Sequence, residues 1–257
     1  MNKPKLDRKT QIIISMSSVA LLILLLAFIP NESEKELLEE ANQTYDEGKY
    51  EKAVILYSKI IETHPRNPVL FHNRASAQLF LKNYYAAISD YSTAITLKPD
   101  YAEAYNGRGL AYYKIDNNLN ARYDCTKAIQ LKKNFAEAYH NRGLAKCLAG
   151  VYYQAVNDFD SAIIIKPNYP EAYNSRGIAL SRMNQLMDSY NSYNKAIALK
   201  EDFAQAYNNK GYLLYRINSL NAALENFNTA LKFDPENENA LFNHGIVSKL
   251  LERKSQE

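Results

Sequence analysis

Asparagine recurs along this chain at a spacing that could do chemistry. Asn106, Asn174 and Asn208 stand at whole multiples of thirty-four from one another. Asn73, Asn141, Asn209 and Asn243 fall one position further on in the same register. A primary amide both donates and accepts, so an array of them can hold the backbone of an extended peptide without reading its side chains. Each such bond nets ~0.5–1.5 kcal/mol. The alternative is a set of solvated side chains in a chain rich in Asn, Lys, Ile and Tyr. Arginine and aspartate recur on the same period. Arg74 precedes Asp90 by the same interval that separates Arg108 from Asp124 and Arg142 from Asp158. Either each is an ion pair, within a unit or between neighbours, or the charges are unrelated and solvated. Losing one partner of a buried pair costs several kcal/mol, roughly 3–5.

Nothing composes a catalytic centre. His72 and His140 share one register but lie two periods apart, His64 ends a helix, and His244 stands alone near the end. Helices packed ~8–10 Å apart would separate His72 from His140 too widely to ligate one ion. Asp158 and Asp160 read as a surface acid and a partner for Arg142. The glycines are singletons rather than a phosphate-binding loop. Cys125 occupies a slot filled elsewhere by Tyr or Phe, so it should be a buried small hydrophobe. Cys147 should sit at a different height on the next, antiparallel helix, which argues against a disulfide. No enzyme activity, metal or cofactor is expected. A formal charge of +3, with Lys and Arg scattered among Asp and Glu, gives no field for nucleic acid.

The elements that must carry these residues follow from the period itself. Successive repeats start at Glu34, Pro68, Ala102, Ala136, Pro170, Ala204 and Glu238. The fourth position is Leu37, Phe71, Tyr105, Tyr139, Tyr173, Tyr207 and Leu241. The eighth is Ala41, Ala75, Gly109, Gly143, Gly177, Gly211 and Gly245. The twentieth is Ala except for Ser189. The twenty-fourth is Tyr57, Tyr91, Cys125, Phe159, Tyr193 and Phe227. Apolar residues recur three and four apart, which predicts two helices per repeat and no strands. Turn signals fall at Gly48, Lys82-Asn83, Asn117-Asn118, Gly150, Asn184 and Asn218, and Pro65, Pro99, Pro167 and Pro235 close four repeats. A helical glycine costs ~1 kcal/mol against Ala, so its recurrence at the eighth position implies close helix contact. Such a period means a solenoid whose units bury their apolar faces only against neighbours.

The phrase large aromatic, small residue, Ala-x-x-x-aromatic, Pro resembles the tetratricopeptide (TPR) repeat. The resemblance implies an all-α, right-handed solenoid of helical hairpins. Six repeats would span 34–67, 68–101, 102–135, 136–169, 170–203 and 204–237, with a capping helix over 238–257. In that cap Leu241 and Gly245 should face inward. The resemblance also places the first helix of each repeat on a concave groove. Positions five, six, nine, twelve and thirteen would then face a ligand. The asparagines named above would line that groove together with Tyr113, Tyr212 and Tyr215, as a peptide-binding surface if exposed and as core if they touch neighbouring repeats. The array looks like the asparagine ladder in the repeat domain of the sugar transferase that adds N-acetylglucosamine to proteins. The carboxylate clamp of chaperone-binding repeats is not matched, because Glu103, Glu137 and Glu171 stand where cations would be needed.

The start of the chain is different. Ile12–Ile29 is apolar apart from three serines and carries no charge, long enough for one membrane span of ~20 residues. Residues 1–10 are basic and those just after residue 31 are Glu-rich. Residues 1–10 therefore read as a cytoplasmic tail, 11–30 as a transmembrane helix and 31–33 as a short linker, with the repeats on the extracytoplasmic side, as in a bacterial envelope. A cleaved signal peptide is the alternative, for which Leu26-Ala27-Phe28-Ile29-Pro30 is a poor cleavage site. An organelle-surface receptor with cytosolic repeats would go against the charge asymmetry. The expected function is a membrane-tethered scaffold that binds a protein or peptide in its groove. The rival is a structural element that self-associates into a homo-oligomer without a peptide ligand.

Overall fold

The computed structural model of the chain describes residues 32–256. The segments read as basic tail and membrane span, 1–10 and 11–30, lie outside the described residues. Among the described residues no helix is long and apolar enough to cross a membrane. Thirteen helices follow one another there with no strand: α1 (Glu32–Asp46), α2 (Tyr50–Thr63), α3 (Pro68–Phe80), α4 (Tyr84–Leu97), α5 (Ala102–Lys114), α6 (Asn118–Leu131), α7 (Ala136–Leu148), α8 (Tyr152–Ile165), α9 (Pro170–Arg182), α10 (Leu186–Leu199), α11 (Ala204–Arg216), α12 (Leu220–Phe233) and α13 (Glu238–Gln256). Each helix packs on the one before and the one after it.

The turn inside each hairpin is the same object six times. One residue adopts a left-handed conformation: Gly48, Lys82, Asp116, Gly150, Asn184 and Asn218. The amide of the next residue then donates to the carbonyl five residues back, as from Lys49 to Thr44 and from Val151 to Lys146. That satisfies carbonyls the helix end would leave unpaired. In the third repeat the left-handed residue is Asp116 rather than the asparagines after it. Asn117 instead accepts from the Asn120 amide and caps α6.

The twentieth-position residues are fully buried, and the twenty-fourth-position residues Tyr57, Tyr91, Cys125, Phe159, Tyr193 and Phe227 nearly so. Burying one such aromatic contributes ~1.5–3 kcal/mol. The rings press on the small eighth-position residues of the same hairpin. A methyl group on Gly143 would stand 2.6 Å from Phe159 Cε1, and one on Gly211 would stand 2.7 Å from Phe227 Cε1. The cap departs from this pattern. Leu241 is exposed, and a methyl on Gly245 would meet nothing within 4 Å. Among the described residues no second helix follows α13, so nothing supplies the ring that would cover them. Ala240 and Val247 are the buried residues there, and Val247, with Leu250 and Leu251 beside it, closes the core around Phe227.

The Arg–Asp pairs form, and they do more than join two helices. Arg74, Arg108 and Arg142 each donate through two nitrogens to Asp90, Asp124 and Asp158, at 2.7–3.0 Å. The third guanidinium nitrogen reaches back to Ser58, Ser92 and Thr126 on the preceding repeat. Lys146 adds a second cation to Asp158 at 2.7 Å. In the fifth repeat the acid and the hydroxyl exchange places, so that Arg176 meets Asp160 of the preceding repeat at 2.6 Å and Ser192 of its own at 2.8 Å. Asp160 therefore has a partner one repeat on. Burial pushes the Asp124 carboxyl above the ordinary carboxylate range, against the pull of the Arg108 guanidinium. Lys210, at the equivalent place in the sixth repeat, lies 5.0 Å from the centre of the Tyr190 ring instead.

The first helices of neighbouring repeats touch one another, as α5 does α7 and α9 does α11, while the second helices make no comparable contact with each other. The first helices are therefore the inner, more closely spaced row of a curved stack.

Glycine in this stack should respond to context. Gly143→Ala should lower unfolding stability, because ~1–3 kcal/mol of overpacking outweighs ~1 kcal/mol of helix propensity. Gly245→Ala should raise it by ~0.5–1 kcal/mol. Thermal and urea unfolding of the two variants checks the contrast.

Candidate functional site

The inner row brings the asparagines together, and mostly with each other. The amide nitrogen of Asn141 donates to the Asn106 oxygen, that of Asn209 to Asn174 and that of Asn243 to Asn208, each at 2.9 Å. The rule is a sixth-position donor and a fifth-position acceptor one repeat earlier, 35 residues apart in sequence. His140 and Ser175 occupy the same pair of positions, with the ring nitrogen Nε2 3.1 Å from the hydroxyl. Asn141, Asn174 and Asn208 are buried in making these bonds, while Asn106, Asn209, Asn243 and Asn73 are only half-buried. Asn73 reaches back to Asn42 at 3.5 Å, which also accepts from the Tyr57 hydroxyl at 2.8 Å. An amide has two N–H groups and two lone pairs. One bond within the ladder leaves capacity for a ligand only on the half-buried members.

The tyrosines named from sequence divide. Tyr113 lines a cavity of about 210 Å³ with Leu144, Leu148, Ile178 and Arg182. Tyr212, 47 % exposed, lines a second cavity of about 330 Å³ with Ile178, Ser181, Arg182, Asn209 and Arg216, floored by Tyr193. Tyr215 packs against the core around Phe227 and lines neither cavity. Ile178 and Arg182 line both cavities, so the two adjoin on the stretch from Tyr113 on α5 to Arg216 on α11. Sequence reading overlooked the two arginines, although both stand at the thirteenth position of their repeats. Phe80, at the same position of the second repeat, stacks on Tyr50 with ring centres 4.5 Å apart.

The titratable groups here are silenced by burial. Burial holds His140 down at about 4, although backbone hydrogen bonding near Glu171 and the Asn141 side chain pull the other way. His72 is lowered for the same reason. Burial pushes the Cys125 thiol up to about 12 and that of Cys147 up to about 11, so neither is a nucleophile at neutral pH. Among the described residues no cluster of three or more His, Cys, Asp or Glu could hold a metal ion.

Residues 81–116 and 211–250 match the family model of the TPR repeat. Those two stretches match TPR repeats, and the described residues share the TPR-like solenoid fold. It is similar to human RNA polymerase II-associated protein 3, with 43% identity over 61 residues, 23% of this chain and 9% of that protein. This chain thus aligns with less than a tenth of the length of that curated relative. Among solved structures it is similar in fold to a tetratricopeptide repeat protein of Parabacteroides merdae, with a TM-score of 0.69, 21% identity and 84% of each chain covered. It is also similar in fold to PilW, a type IV pilus biogenesis factor, with a TM-score of 0.73, 18% identity, and 83% of this chain and 99% of that one covered. TPR repeats are generally non-enzymatic and serve as scaffolds for protein–protein interaction.

The buried imidazole gives the helical stack a pH dependence of defined sign. A folded-state value near 4 lies below the ordinary 6.5, so the unfolded chain takes the proton first. The contribution is complete above pH 6.5 and is lost as pH falls toward 4, up to ~3 kcal/mol. The stability difference between wild type and His140→Gln, read by urea unfolding, should shift in this window and stay constant above pH 7.

Proposed function

We propose that the chain captures a segment of a partner protein in the groove between Tyr113 and Arg216 and holds it at a membrane through residues 11–30. The observation that supports capture is the groove itself. It is a pair of adjoining cavities on the inner face, with exposed apolar, aromatic and cationic side chains and half-buried amides that keep spare hydrogen-bonding capacity. A surface of that composition, left uncovered by the described residues, suits an extended or helical segment. The uncharged stretch Ile12–Ile29 and its basic flank support the membrane tether. With only residues 31–33 between the span and the first helix, the groove would sit near the bilayer and concentrate its partner there.

A second reading, self-association, is favoured by a different surface. The eighteenth position carries Tyr85, Leu119, Tyr153 and Met187 in four successive repeats, each 68–77 % exposed. Met187 shares an apolar hollow with Ile217 of the next repeat. The same position is Glu51 in the first repeat and Asn221 in the sixth, so the band has polar ends. An evenly spaced band can meet its own copy about a two-fold axis. At ~150–250 Å² for each aromatic, two facing bands approach the ~1,200 Å² of a stable interface.

Site-specific photocrosslinking with benzoylphenylalanine in the full chain, in native membranes, separates the two. At Tyr212 the groove reading expects an adduct with another protein. At Tyr153 the self-association reading expects an adduct at twice the 29.4 kDa chain mass. Exposed Lys195 on the outer face serves as the control and should give neither. Only control-level signal at Tyr212 would remove capture. Extraction of the full chain by alkaline carbonate would remove the integral anchor.

A further inference from the structure

The cavity between α9 and α11 has a charge that nothing in it balances. Arg182 and Arg216 both line it, together with Ser181, Asn209, Tyr212, Ile178 and Tyr193, and no carboxylate is among its walls. Every other repeat-core arginine with a fixed guanidinium is matched to an acid: Arg74, Arg108, Arg142 and Arg176 each hold an aspartate at 2.6–2.7 Å. Arg216 is instead fixed by neutral acceptors, the Ser181 carbonyl at 3.0 Å, the Ser181 hydroxyl at 2.7 Å and Asn184 at 3.3 Å. These bonds orient the guanidinium without neutralising it. Arg182 is exposed. A planar guanidinium with unused donors suits a carboxylate, which it can meet through two parallel bonds. Asn209 and Tyr212 add neutral polar contact in the same cavity.

The adjoining cavity is apolar in character, with Tyr113, Leu144, Leu148 and Ile178 in its wall. It is centred about one repeat away toward the start of the solenoid. Neighbouring first helices of the stack lie ~8–10 Å apart. An extended chain covers that distance in about three residues at ~3.3 Å each.

Resting on the groove reading above, we propose that the Arg182–Arg216 cleft is a subsite for an aspartate or glutamate side chain of the captured segment. An apolar residue about three positions away in that segment fills the neighbouring cavity. The ligand class is thus a peptide stretch with an apolar and an acidic residue about three positions apart, in either order.

The probe is a phage-displayed library of random 12-residue peptides, panned on the full chain in nanodiscs of zwitterionic lipid. Displayed within a fusion, these peptides offer no free C-terminal carboxylate. Wild type should enrich sequences with Asp or Glu and an apolar residue at the stated spacing, in one order or the other, about tenfold over the naive library. Arg182→Gln, and Arg182→Gln with Arg216→Gln, should keep the apolar preference and lose the acidic one. Lys249→Gln with Arg253→Gln removes the same charge from the exposed last helix and should keep both preferences. Circular dichroism checks that each variant is folded, and Arg182→Gln alone decides if Arg216 proves necessary for folding. Enrichment of apolar residues without an acid, or acidic enrichment that survives Arg182→Gln, overturns the subsite and leaves the groove standing. No enrichment of any sequence by wild type overturns the groove reading and the subsite with it.

Discussion

No hairpin of this chain encloses a core by itself. Each second helix presents a small residue and a ring, or Cys125 in the third repeat, to its own first helix on one side and to the next repeat on the other, and only the stack removes both faces from water. The fully buried rings of Phe159 and Phe227 reach that state because Gly143 and Gly211 leave room for them. The constraint is steric as much as hydrophobic. A side chain at the eighth position would hold the two helices apart, and the spacing of the whole inner row would open with them. Curvature, the groove and the depth of its cavities all descend from that one close approach.

Polar chemistry ties the same joints a second time. The guanidinium of Arg108 bridges three helices, two through Asp124 and a third through Ser92 of the preceding repeat. A buried ion pair gains little net stability over an apolar pair of equal volume, but leaving one member alone is expensive. Such pairs therefore fix register more than they add energy. A repeat that slipped along its neighbour would strand a charged group. The exchange of acid and hydroxyl between Asp158 with Thr126 and Asp160 with Ser192 keeps this connection while moving the charge to the other side of the arginine. The asparagine ladder repeats the device on the inner face with neutral groups. Its amides spend their best-placed donors and acceptors on each other, so the ladder fixes the groove wall and only its half-buried rungs face outward.

The groove itself varies where the core does not. Its thirteenth position runs Asp46, Phe80, Lys114, Leu148, Arg182, Arg216 from the first repeat to the sixth. An acid stands at the end nearest the start of the chain and two cations at the other. A bound segment would feel that gradient as a preferred direction.

The amino-acid sequence determined the periodic part of this architecture. A fixed period, two helices within it, one small residue facing one ring, and an arginine at a constant interval before an aspartate are local or single-period relations, and each is repeated often enough to be read without coordinates. The left-handed turn was legible where Gly or Asn occupies it, and was misplaced at Asp116 because its own neighbours, Asn117 and Asn118, are better turn formers by type. Tertiary structure decided what depends on a neighbour outside the period. Leu241 and Gly245 repeat the inward-facing pattern and yet stand open, because among the described residues no helix follows to cover them. The asparagines looked like free amides because their partners lie one step off the repeat, where the stack and not the chain brings Asn106 against Asn141. Arg182 and Arg216 became a site only when two first helices were set side by side. Residue type fixes what a side chain can bond, and packing fixes which of those bonds are already taken.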